Sequence, residues 1–68
     1  MDKFELEKVM HENGDTTKTM AVFLGISVTS FYNRKNERKG SQFTQKDISA
    51  MAKRWKLSPE RLQKIFFN

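Results

Sequence analysis

The chain has 68 residues, a formal net charge of +5 and no cysteine, so disulfide staples and thiolate metal sites are excluded. That length suits one domain, residues 1–68, which buries only about 60% of its unfolded surface. A single histidine, His11, the lack of an arranged carboxylate pair, and no apolar run near the ~20 residues of a membrane span argue against metal-binding, catalytic and membrane-spanning roles.

The charge is unevenly distributed. Residues 1–33 hold three Lys and five Asp/Glu, a balance of −2, whereas residues 34–68 hold ten Lys/Arg and three Asp/Glu, a balance of +7. A basic half on a small domain suits a polyanion such as nucleic acid, and equally suits a solvated lysine-rich surface. The opening MDKFELEKVM is acidic and amphipathic, unlike a targeting peptide, so a cytoplasmic protein is expected.

Five helices and no strand fit the apolar pattern. The first runs over 2–12, with Asp2 as N-cap and Glu5 three residues on as an approximate capping box, and with Phe4, Leu6, Val9 and Met10 as its apolar side. Asn13-Gly14 stops it, and Asp15 or Thr16 caps the second helix, 17–24. Met20, Ala21, Phe23 and Leu24 predict that this second helix is largely buried, and small Ala21 lets another helix approach closely. Gly25 suits the left-handed position that ends it. Ser27 caps a third helix reaching about residue 35, in which Phe31 and the preceding Ile26 face inward while Val28, Thr29, Tyr32 and Asn33 lie opposite. Val28 and Thr29 are poor helix formers, a local inconsistency that hints at a recognition face.

The stretch NRKNERKGSQF then forms a basic loop that turns at Gly40-Ser41 and is anchored by Phe43. Thr44 and Asp47 form a weaker capping box at the head of a fourth helix, whose stripe Ile48, Met51, Ala52, Trp55 has buried spacing. Lys53, Arg54 and Lys56 favour its C-terminal dipole end. Ser58-Pro59-Glu60 opens a fifth helix carrying Leu62, Ile65 and Phe66.

Ala21, Gly25, Ile26 and Phe31 carry a spacing that resembles the helix-turn-helix of the lambda-repressor-like family of phage Cro and repressor proteins. The tail FTQKDISAMAKRWKLSPERLQKIFF is similar to the fourth and fifth helices of short Cro-like proteins of phages from Gram-positive bacteria, so the likeness covers roughly residues 4–67. It implies an all-α, compact five-helix DNA-binding domain whose helices 2 and 3 form the motif. The implied activity is that of a sequence-specific double-stranded DNA-binding transcriptional regulator of Cro-like repressor type.

A major groove admits one helix, and its N-terminal residues reach base edges. On that geometry Val28, Thr29, Tyr32 and Asn33 contact bases, with Asn33 suited to an adenine edge; Tyr32 has packing against the second helix as its alternative. Ser27 divides its hydroxyl between capping and DNA. The resemblance implies phosphate contacts from Thr17 and Lys18, and from Asn36, Arg38 and Lys39 in the loop. Arg34 and Lys35 join them, as do backbone N–H groups around Gln42, Phe43 and Thr44.

The chain departs from the family where an Arg in the first helix often pairs with a Glu ending the third: Met10 and Lys35 stand there. Arg34 replaces a frequent aliphatic residue, and Thr17 replaces a usual glutamine. These departures imply a short third helix that opens early into the basic loop. Pseudo-palindromic operators, with half-sites about 34 Å apart or a multiple, require a weak homodimer or one formed on DNA. Its expected surface is Lys56, Leu57, Pro59, Phe66 and Phe67, with Trp55 placed in the core rather than there. No cofactor, metal or small-molecule ligand is expected. A second reading is a protein-interaction module of the same fold, antitoxin- or antirepressor-like, using the acidic face Asp2, Glu5, Glu7, Glu12 and exposed Phe67.

Overall fold

The computed structural model describes residues 1–67. It contains five α-helices, α1 (Lys3–Glu12), α2 (Thr17–Leu24), α3 (Val28–Lys35), α4 (Gln45–Trp55) and α5 (Pro59–Phe66), with a 3₁₀ turn at Arg38–Gly40 and no strand among the described residues. No helix among them is long and apolar enough to cross a membrane.

Side-chain caps set the helix starts. Asp2 Oδ1 accepts from the N–H groups of Phe4 and Glu5, at 3.1 and 3.2 Å. Glu5 does not complete the expected box; it reaches Lys64 on α5 instead, at 3.3 Å. Thr16, not Asp15, caps α2 through a reciprocal box with Thr19. Ser27 caps α3, Ser58 caps α5, and Thr44 with Asp47 forms the full capping box of α4. Each cap satisfies N–H groups that the first helical turn leaves unpaired.

The turns α2–α3 and α4–α5 are built alike. Gly25 sits at φ 72° and Lys56 at φ 51°, both left-handed. The next residue bonds back across the helix end: Ile26 N–H donates to Ala21 O and Leu57 N–H to Ala52 O, both at 3.0 Å. A serine N-cap then starts the following helix. This is a Schellman termination, made once with glycine and once with lysine.

The core comprises Leu6, Val9, Met10, Met20, Ala21, Phe31, Met51, Trp55, Ile65 and Phe66. Phe43 bridges it to the basic loop, meeting Phe31 edge-on at 5.3 Å and Phe66 at 6.4 Å between ring centroids. Two expectations change here. Phe66 was placed on a dimer surface but is only 8% exposed and belongs to the core, because α5 turns its Ile65–Phe66 side toward α1 and the Phe43 ring. Helix α2 is not buried on several sides: Met20 and Ala21 are buried, while Val22 and Phe23 are exposed.

Long-range ion pairs explain much of the charge asymmetry. Four of the five acids in residues 1–33 pair with cations of the basic half: Glu5 with Lys64, Glu7 with Lys35, Asp15 with Arg54, and Glu12 with Arg61. The fifth, Asp2, caps α1. The acidic face expected to meet a protein partner is therefore engaged within the chain. The strongest of these connections is at Asp15, which accepts from Arg54 Nε at 3.1 Å and Nη2 at 2.8 Å, from Trp55 Nε1 at 2.7 Å, and from Thr19 Oγ1 at 2.9 Å. The Arg54 hydrogen bond, aided by Trp55 and Thr19, outweighs partial burial and holds the Asp15 carboxyl well below the usual carboxylate range. This cluster joins the start of α2 to the end of α4.

Candidate nucleic-acid interface

Helix α3 buries Phe31 completely and leaves its other side outward. Val28 is 50% exposed and Tyr32 46% exposed. Thr29 is exposed and Asn33 half-buried. Among the described residues the Asn33 amide has no hydrogen-bond partner, so both its donor and its acceptor remain for an external group. Tyr32 lies at the surface rather than packed under α2, with the Arg38 guanidinium 5.8 Å from its ring centroid. The four residues expected to contact bases thus share one side of a two-turn helix.

Ser27 is more committed than expected. Its Oγ accepts from Ser30 N–H and donates to Ser30 Oγ, both at 3.0 Å. The N–H groups of Val28 and Thr29 stay free at the positive end of the helix.

The expected phosphate ligands divide into two groups. Arg34, Lys35 and Asn36 hold the fold together. Arg34 Nη1 donates to Asp47 Oδ2 at 2.8 Å, while the same oxygen accepts from Thr44 N–H at 3.0 Å. This ties the end of α3 to the head of α4, and it occupies the Thr44 N–H that was expected to meet phosphate. Lys35 reaches Glu7 at 3.7 Å with its side chain only 14% exposed. Asn36 closes α3 by donating to Tyr32 O at 2.9 Å and accepts from Lys3 Nζ at 3.1 Å. Arg34 and Lys35 each pair with an acid on another helix, Asp47 and Glu7. Neighbouring helices make those pairings, so spacing along the chain did not reveal them.

The second group is unengaged. Among the described residues, no carboxylate lies within 4.0 Å of Lys18, Arg38 or Lys39, and the Gln42 and Phe43 N–H groups have no internal partner. The Thr17 hydroxyl, half-buried at the first position of α2, has none either. Arg38 and Lys39 occupy a tight turn in which Glu37 (φ 53°) and Lys39 (φ 54°) are both left-handed without being glycine. Such backbone costs about 1–2 kcal/mol per residue, and both cations in it are exposed.

Lys46 was not anticipated as a ligand. It is exposed in the first turn of α4, where the helix dipole disfavours a cation, and among the described residues it too lacks an acidic partner. Its signal was a lysine two residues after the Thr44 cap. Lys18 shows the same mismatch in the first turn of α2.

On the expected dimer surface, Lys56 and Pro59 are exposed, Leu57 packs partly against the core, and Phe67 is 51% exposed. Chemically, the α3 face and the adjoining loop offer hydrogen-bonding and apolar groups bordered by unpaired cations. Comparison with protein-family models, curated proteins and solved structures yields no match.

Proposed function

We propose that this chain is a sequence-specific double-stranded DNA-binding regulator of Cro-like repressor type, with α2 and α3 acting as a helix-turn-helix. The observation that carries the reading is the outward side of α3. It has three exposed residues, a free amide on Asn33 and no acid in its first turn, and it adjoins the unpaired cations Arg38 and Lys39. A helix of this kind fits a major groove with its N-terminal residues against base edges.

In this reading Val28 and the Thr29 methyl meet thymine methyls, and Asn33 pairs with an adenine edge. Tyr32 contributes at the end of the same side. Phosphates are held by Lys18, Arg38 and Lys39, by Thr17, and by the N–H groups of Gln42 and Phe43, with Lys46 added at the head of α4. Arg34, Lys35 and Asn36 act one step back, by holding the loop that presents those groups. Two-fold operators need two copies, and Phe67 with Pro59 and Lys56 remains the surface to bring them together.

Binding to the DNA flanking the gene, measured against salt, tests the proposal. The expected result is a footprint with approximate two-fold symmetry and a steep fall of log affinity with log salt. Asn33→Ala is expected to lose discrimination at one base pair by about 1–3 kcal/mol. Lys39→Ala is expected to weaken all sequences alike and reduce the salt slope by about 1. Unchanged operator preference in Asn33→Ala would remove α3 from the groove.

A further inference from the structure

Phe23 is an exposed aromatic residue that the DNA reading leaves without a role. It projects from α2 at 41% exposure, beside Val22 at 74%. Shallow grooves run along both sides of its ring. One, toward α4, is lined by Phe23, Ser49, Ala50, Lys53 and Arg54. The other follows α2 past Lys18, Thr19 and Val22.

The ring is held in place. The Arg54 guanidinium lies 4.6 Å from its centroid, and two hydrogen bonds to Asp15 fix that guanidinium. An aromatic side chain backed by an immobilised arginine loses little freedom when a partner covers it, which is the condition for an interface anchor.

Charge decides what fits there. Asp15 balances Arg54. Lys18 and Lys53, on opposite rims, have no acidic partner among the described residues, so the rim carries unbalanced positive charge around an apolar centre. A second copy docking through a two-fold axis would set this rim against itself and bring like charges together. Nucleic acid would supply negative charge but only a poor match for Val22 and Phe23. An acidic protein segment with an apolar side chain satisfies both features.

We propose that the α2–α4 face is a docking surface for an acidic protein segment, whose apolar side chain seats beside Phe23 while its carboxylates pair with Lys18 and Lys53. The surface includes neither α3 nor the Arg38–Lys39 turn and shares only Lys18 with the groups assigned to DNA, so Phe23 and Lys53 are the residues that distinguish it.

The test uses the whole chain, ¹⁵N-labelled, titrated with a short acetylated amphipathic peptide bearing Leu and Phe on one face and Glu on the other. Amide shifts are expected at Val22, Phe23, Ala50 and Lys53. Phe23→Ala is expected to weaken binding about tenfold or more. Lys53→Glu, at an exposed position, is expected to weaken the Glu peptide and to improve binding of the same peptide with Lys in place of Glu. Thermal melts check that both variants fold. Lys39→Ala is expected to leave peptide binding unchanged, whatever its effect on DNA. Three outcomes would overturn the proposal: shifts centred on Thr29, Arg38 and Lys39, meaning that the peptide merely occupies a polyanion surface; concentration-dependent shifts at Val22 and Phe23 without peptide, meaning a second copy; or no shift at millimolar peptide.

Discussion

The α2–α3 and α4–α5 turns share one backbone device but lead to opposite surfaces. Each ends a helix with a left-handed residue, bonds the next N–H back across the helix end, and starts a new helix from a serine cap. Beyond the first turn, α3 offers Val28, Thr29 and Tyr32 to solvent with no acid in its opening turn. Beyond the second, α5 opens with Pro59 and Glu60, and its cations Arg61 and Lys64 are matched to Glu12 and Glu5. A phosphate approaching α5 would meet Glu60; one approaching α3 would meet free N–H groups and unpaired cations. The turn geometry is therefore a folding solution, and the side chains placed after it decide whether the N–H groups and cations beyond it stay unpaired.

The largest expected effect breaks the link between the start of α2 and the end of α4. Asp15→Ala leaves Arg54 and the Trp55 indole N–H without their acceptor, and is expected to cost about 2–3 kcal/mol. In so small a domain that corresponds to a melting shift of roughly 4–8 °C per kcal/mol. Trp55 is the chain's one tryptophan, so its fluorescence reports the loss directly, and an unchanged melting curve would remove Asp15 as the connector.

Acid titration examines the same link. Asp15 and Glu12 both have carboxyl pKa values lowered by hydrogen bonds from arginine, Arg54 and Arg61 respectively. A lowered folded value means that the stabilisation is present above the unfolded value, about 3.9–4.3, and is lost as pH falls below it. Denaturation midpoints are expected to drop below about pH 4, with a shallower drop in Asp15→Ala.

The two left-handed residues supply a matched pair of smaller effects. A Cβ on Gly25 meets no atom within 4 Å, so Gly25→Ala isolates backbone strain and is expected to cost about 1–2 kcal/mol. Lys56→Gly relieves the corresponding strain and is expected to gain up to about 1 kcal/mol, measured by denaturant unfolding. A loss of stability in Lys56→Gly would show that the turns are not equivalent in the way their backbones suggest.

Much of the helical outline was legible because caps are local. Ser27, Thr44 with Asp47, and Ser58-Pro59 mark helix starts through bonds made within three residues, and Gly25 marks an end by its tolerance of positive φ. The exposed side of α3 was legible for a similar reason, since Phe31 fixes which way a short helix faces. The left-handed turn at Glu37 and Lys39 was not, because neither residue favours that backbone and only the surrounding loop imposes it. Phe66 and Phe23 were misplaced in opposite directions: two aromatics of similar hydrophobicity are separated only by where α5 and α2 lie on the core.

By itself, the sequence determined the approximate helix boundaries, much of the inward stripe and the presence of a basic second half. Tertiary structure alone decided which charges in that half remain available. Ion pairing acts between residues far apart in the chain, 13 positions for Arg34 and Asp47 and 39 for Arg54 and Asp15. Folding consumes Arg34, Lys35, Arg54, Arg61 and Lys64, and leaves Arg38, Lys39, Lys46, Lys53 and Lys56 without acidic partners among the described residues.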